Sequence, residues 1–128
     1  MAEFAITAAV LFFLVFGLYD MAIAVSLYNS VSYGAREGAR YAIAHPEGSA
    51  NAATTDTVTN VVKGVSPELN PAHLTVNLTW PTTAEVATSP KGIDAEVDVS
   101  YVFTFDVPFI APSVTLSSSS RMYVGDTP

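Results

Sequence analysis

The chain has 128 residues, half of them hydrophobic and only 13% charged, with 5 Lys and Arg against 12 Asp and Glu for a formal net charge of −7. So acidic a balance excludes the clustered basic surface that phosphate backbones require, and nucleic acid is not an expected partner. The absence of cysteine removes disulfides, thiolate metal sites, cysteine nucleophiles and c-type haem attachment.

The first predicted element is a long apolar helix. Glu3 opens it, residues 4–19 follow with Thr7 as their polar side chain, Asp20 interrupts, and the run resumes to Tyr28, giving 25 residues (4–28) with one charge. That exceeds the roughly 20 apolar residues that cross a bilayer core. The first basic residue is Arg36 and no small-residue cleavage site follows the run, so the segment reads as retained rather than as a signal peptide. From residue 29 the pattern turns amphipathic and continues to His45-Pro46, where proline disfavours helix in the residue before it. A helix over residues 2–44 is about 65 Å long at about 1.5 Å per residue, so its second half leaves a ~30 Å membrane core or lies against other subunits.

Ionised side chains in such a segment cost roughly 2.5 to 3.5 kcal/mol at mid-membrane, which marks Glu3 and Asp20 as functional candidates. Glu3 is expected to receive the terminal ammonium of an adjacent subunit, and Asp20 an Arg or a Tyr hydroxyl of a neighbouring helix. Asp20 and Arg36 are 16 residues apart, about 24 Å along one helix, so only a staggered neighbour can bring them together. Gly34 and Gly38, flanked by Ala35 and Ala39, form a small-xxx-small pair that lets backbones approach closely. They are read as a face between subunits; a large side chain at Gly38 is then expected to block assembly and leave the head's melting normal. Arg36, Glu37 and Arg40 form either a polar seam, between helices or between helix and head, or, for Glu37 and Arg40, a weak local i,i+3 pair. The aromatics Phe4, Phe12, Phe13, Phe16 and Tyr19 read as an apolar core, not as an electron path, since nothing here holds a redox cofactor.

Residues 46–128 read as a small head distinct from the helix of residues 1–45. A polar linker leads into a short helix over residues 56–64, capped by Asp56 or Thr55, with Val58, Val61, Val62 and Val65 on its apolar face. Three alternating stretches follow: Leu74, Val76, Leu78 and Trp80; Ala95, Val97, Val99 and Tyr101; then Val114, Leu116, Ser118, Ser120 and Met122. The fold class is α+β, with an antiparallel sheet of three to four strands, one wet face, and the short helix covering part of the other. Asp94, Glu96, Asp98 and Asp106 suggest a cation site, but carboxylates alternating with Ala95, Val97 and Val99 are what the wet face of a half-buried strand looks like, so no metal is expected. Asn77-Leu78-Thr79 fits a glycosylation acceptor and is a possible modification site at Asn77, and the Ser/Thr runs are candidates for O-linked sugar. His45 and His73 have no nucleophile or acid at a telling spacing, so neither catalysis nor a cofactor is expected.

Several of these features together resemble a known family. The Ala-Glu-Phe-Ala start, the acid at Leu18-Tyr19-Asp20, the segment Ala35-Arg36-Glu37-Gly38-Ala39-Arg40, the Val-rich second helix and the tail 97–103 to 115–122 are similar to TadE-like pilins of the tight-adherence branch of type IV pili. The resemblance implies an inner-membrane prepilin, cut by a prepilin peptidase and drawn by an assembly ATPase into an extracellular filament or its apparatus. In such pilins the helix Glu usually lies fifth after the cleavage site, whereas here it is third. Without a basic leader, Arg36 and Arg40 favour the opposite orientation by the positive-inside rule, so the chain is taken as a processed subunit.

Two functional classes stay open. One is a structural subunit whose helices bundle into a homo-oligomeric helical filament for surface attachment. The other is a single-pass minor pilin or assembly factor whose head binds a partner. A pure anchor needs neither Asp20 nor an amphipathic continuation to Ala44, which favours the filament.

Overall fold

The structure is a computed structural model and describes residues 2–81, 93–105 and 112–124. Asp106 and most of the two expected loops, residues 82–92 and 106–111, lie outside the described residues.

Helix α1 runs Ala2–Ala44, within the limits read from the sequence. Its end is built locally: the His45 ring stacks on Tyr41 with centroids 4.2 Å apart, and its Nδ1 lies 3.0 Å from the Tyr41 carbonyl. Pro46 then turns the chain, and the Ala53 amide donates to the His45 carbonyl at 2.8 Å, closing the linker. Gly48 has φ +89°, a left-handed conformation that glycine adopts without strain.

Helix α2 spans Thr55–Val65. Its cap is Thr54, not Asp56 or Thr55. Thr54 has the extended backbone that an N-cap needs, its hydroxyl accepts from the Thr57 amide at 3.3 Å, and Thr57 Oγ1 accepts from the Thr54 amide at 2.9 Å. This reciprocal box satisfies two end donors. Asp56 stands instead in the first turn, where a carboxylate meets the positive end of the helix dipole.

A 3-10 turn at Pro71–His73 leads into three strands, β1 (Leu74–Thr79), β2 (Ile93–Thr104) and β3 (Ser113–Val124). They form one antiparallel sheet in the order β1-β2-β3. The register places Val76 opposite Val99, Leu78 opposite Val97, Val97 opposite Ser120 and Tyr101 opposite Leu116. Because strand side chains alternate, this gives one inner face with Val76, Ala95, Val97, Val99 and Tyr101 buried. The other face carries Thr75, Asn77, Asp94, Glu96, Asp98, Ser119 and Arg121.

What covers the inner face is more than the short helix. Val31, Ala35, Ala39 and Ala42 of α1 are fully buried together with Val58, Val62, Val97 and Val99. The core is therefore continuous across residue 46, and the second half of α1 is its largest helical wall. Burying each of these valines contributes about 1.5 to 3 kcal/mol. The close approach rests on the two glycines. A Cβ on Gly34 would lie 2.9 Å from Val62 Cγ1, and one on Gly38 would lie 3.0 Å from Val58 Cγ1 and 3.2 Å from Val97 Cγ1. The small pair expected between subunits is thus occupied within the chain, by α2 and β2. The Ser66 hydroxyl, itself buried, adds a hydrogen bond to the Ser30 carbonyl at 3.1 Å. Since Val58 meets Gly38 while Ser66 meets Ser30, α2 runs antiparallel to α1.

Gly38→Leu consequently lowers the melting temperature of the head, contrary to the expectation above, and costs more than the ~1 to 3 kcal/mol of modest overpacking. Gly64 has open space around a Cβ, so Gly64→Ala is neutral or stabilising by up to ~1 kcal/mol. Thermal unfolding followed by circular dichroism checks both. An unchanged transition for Gly38→Leu contradicts the packing described.

Candidate assembly surface

Helix α1 has two surfaces. Over residues 2–19 nearly every side chain is exposed, including Phe4 at 79%, Phe12, Phe13, Phe16 and Tyr19. The apolar residues surround the whole helix, so no single contact can cover them. Phe12 and Phe16 touch each other, with centroids 6.4 Å apart. This bare stretch is about 27 Å long at about 1.5 Å per residue, close to the thickness of a bilayer core. The helix is long and apolar enough to cross a membrane, which fits a membrane-anchored chain.

From Asp20 onward one side is taken. Asp20, Ala24, Val31, Gly34, Ala35, Gly38, Ala39 and Ala42 are buried, at the three- and four-residue spacing of one helix face. Asp20 is only 6% exposed, and its Oδ2 has no hydrogen-bond partner. It therefore belongs to the face that α1 turns to its own head, not to the face free for a neighbouring helix. The expected pairing of Asp20 with an Arg or Tyr of another subunit needs an exposed carboxylate, and Asp20 is covered.

The opposite side of α1 carries Val25, Asn29, Tyr33, Arg36 and Arg40, all exposed. Arg36 stands two residues before Gly38, about 200° around the helix from it. Glu37 and Arg40 form the local pair at 3.5 Å, both at the surface, a contact contributing a few tenths of a kcal/mol. Arg36 makes no ion pair among the described residues. Glu3 is exposed in the first turn, where its backbone carbonyl accepts from the Thr7 hydroxyl at 2.9 Å. Of the residues expected to act in assembly, Glu3, Arg36 and Arg40 are thus outward and Glu37 lies at the edge between the two faces, whereas Asp20, Gly34 and Gly38 are inward. Tyr33, half exposed and three residues before Arg36 on the same helix face, joins the outward set; its amphipathic ring on an otherwise polar stretch was the signal for it.

On the outer sheet face, Glu96 accepts from Arg121 and, at 2.8 Å, from Ser119. The Arg121 guanidinium and then the Ser119 hydroxyl hold its carboxyl below the usual range. One member of the acidic row is therefore neutralised across the strands. Asn77 is exposed on the same face of β1, accessible to modification.

Residues 1–40 match the model of the family described as TadE-like protein. The match ends within α1, at the second arginine of the Ala-Arg-Glu-Gly-Ala-Arg segment, and leaves the head unmatched. No curated protein and no solved structure matches the chain.

Two outcomes follow from this geometry. A buried polar atom without a partner costs about 1 to 3 kcal/mol, so Asp20→Leu raises the thermal stability of the detergent-dispersed chain; a lower melting temperature contradicts the orphaned position of Oδ2. Glu96, its carboxyl held below the ordinary 4.5 by Arg121 and Ser119 in the folded chain, contributes stability that is fully present above about pH 4.5 and lost as pH falls through the folded value. As the pair is exposed, the loss is at most ~1 kcal/mol. Glu96→Gln removes that part of the acid sensitivity in unfolding titrations between pH 6 and pH 2; an undiminished slope contradicts the pairing.

Proposed function

We propose that this chain is a structural pilin subunit of a Tad-type filament, polymerising through α1 after release from the inner membrane, with a role in surface attachment. One observation carries the reading: about 18 residues of exposed apolar helix project beyond a folded head, and the segment bearing them matches the TadE-like family. Lipid covers that surface in a membrane. Outside one, only several like helices can, and burial at about 25 cal/mol per Å² makes such a bundle the main source of cohesion. The outer sheet face, rich in Ser, Thr and Asp, offers less. By its resemblance the precursor is a substrate for a prepilin peptidase and an assembly ATPase.

The two-sided form of α1 supports a subunit over a pure anchor. An anchor needs only the spanning half, whereas here the far side of the second half presents Tyr33, Arg36 and Arg40 in line with the bare half. The alternative reading is a single-pass minor pilin or assembly factor whose head binds a partner.

Microscopy of sheared surface material tests the proposal. Filaments made of this chain are expected, with α1 at the axis and the sheets facing solvent. They withstand high salt, because apolar burial is not screened, and they dissociate in detergent able to solvate the helix. Recovery of the chain only in the detergent-soluble membrane fraction, or a density map with the sheets at the axis, refutes it.

A further inference from the structure

The strand register decides which end of the head lies beside the bare half of α1. Helix α2 ends with Ser66 at the level of Ser30, and the 3-10 turn then starts β1 at Leu74, opposite Tyr101. Strand β2 therefore runs along α1 from Val97, which faces Gly38, toward the start of the helix. Phe105 stands eight residues beyond Val97 and Asp20 eighteen before Gly38, about 26 Å on a strand and about 27 Å on a helix. The β2–β3 end of the sheet thus comes to the level of Asp20. This is why Asp20 and Ala24 are buried although α2 stops at Ser30.

Charge is sorted along the same strands. Asp94, Glu96, Asp98 and Arg121 all stand toward the far end, whereas residues 99–105 and 112–120 carry no charge. The near end is apolar on both faces. Val102 and Val114, on opposite sides of the sheet, are 41% and 39% exposed, and Phe103 meets Phe105 edge to face with centroids 5.0 Å apart. The Phe105 amide donates to the Pro112 carbonyl at 2.9 Å, tying the two strands together there. We propose that this end of the head seats in the surface of the bilayer that α1 crosses and fixes the depth at which the helix stands. Residues 2–19 already fill about 27 Å of a ~30 Å core, so the head begins where the hydrocarbon ends. Tyr19, an exposed aromatic at the same level, suits that boundary. Apolar groups of interfacial elements reach about 5–10 Å into it. Val114, opposite Phe103, is about 7 Å above Phe105 and falls within that depth. Lipid is the occupant because this end is continuous with the surface of α1 that lipid covers. The seating serves a subunit awaiting assembly and a permanent anchor alike.

Depth-dependent quenching tests this in the full chain, which has no cysteine of its own. Val102→Cys, Val114→Cys and, as a reference on the far half of the sheet, Asn77→Cys each carry a bimane label in phosphatidylcholine vesicles whose lipids bear a nitroxide at the headgroup. Labels at positions 102 and 114 are expected to be quenched and the label at position 77 to be spared. Equal quenching at all three positions, whether weak or strong, overturns the seating. A second variant separates seating from passive carriage by the helix. Thr115→Cys, exposed opposite Val102, carries the label in a chain that also has Val102→Asp and Val114→Asp. Carboxylates are driven out of the apolar boundary, so the quenching at position 115 is expected to fall while the circular dichroism spectrum is unchanged. Quenching that survives both acids overturns the proposal. So does shielding of positions 102 and 114 from aqueous iodide that disappears when the protein is diluted with more lipid, because a second copy is then the occupant. None of these outcomes depends on filaments, so the filament reading stands or falls separately.

Discussion

The structure depends on how closely α1 approaches α2 and β2. Gly34 and Gly38 leave no room for a Cβ beneath Val62, Val58 and Val97, and Ala35, Ala39 and Ala42 continue the same small-residue face to full burial. A head of about 80 residues is marginal as an independent core. By taking the second half of α1 as a wall, it buries Val58, Val62, Val97 and Val99 without needing a second sheet. The same contact divides the helix lengthwise. One side is committed to the head from Asp20 to Ala42, and the remaining surface is left to lipid or to other copies.

That division decides which residues can act between subunits. A polar group on the committed side, however suggestive its position in the chain, is screened from neighbours by its own head. Asp20 is the clear case, since its side chain is buried and its Oδ2 has no hydrogen-bond partner. A group on the other side is available even when it makes a weak local pair, as at Arg40. The functional reading therefore follows from helix face more than from residue type, and the proposed filament uses a surface the fold leaves bare.

Much of this was legible in the sequence. The limits of α1 followed from an unbroken apolar and amphipathic pattern stopped by Pro46, and the three strands from alternation at residues 74–80, 95–101 and 114–122. The cap of α2 was misplaced by one or two residues because its box uses Thr57 where Glu or Gln is the usual sign. The larger gap concerned partners. A small-xxx-small pair announces that some backbone or side chain comes close, but it does not say whose, and a Val-rich short helix in the same chain fits as well as a second copy. The stripe Asp20, Ala24, Val31, Ala35, Ala42 was visible at helical spacing. Its meaning needed the register that sets Val97 against Gly38.

The central claim is that α1 presents one face to its own head and the other to further copies. Single cysteines placed along residues 28–44 and reacted with a polar maleimide test it most directly, first in the detergent-dispersed chain and then in assembled material. The account predicts that positions 29, 33, 36 and 40 react when dispersed and become protected on assembly, while positions 31, 35, 39 and 42 are protected in both states. Labelling of positions 31, 35 and 39 in the dispersed chain, with protection arising only on assembly, would contradict it, because the small-residue face would then belong to the contact between subunits.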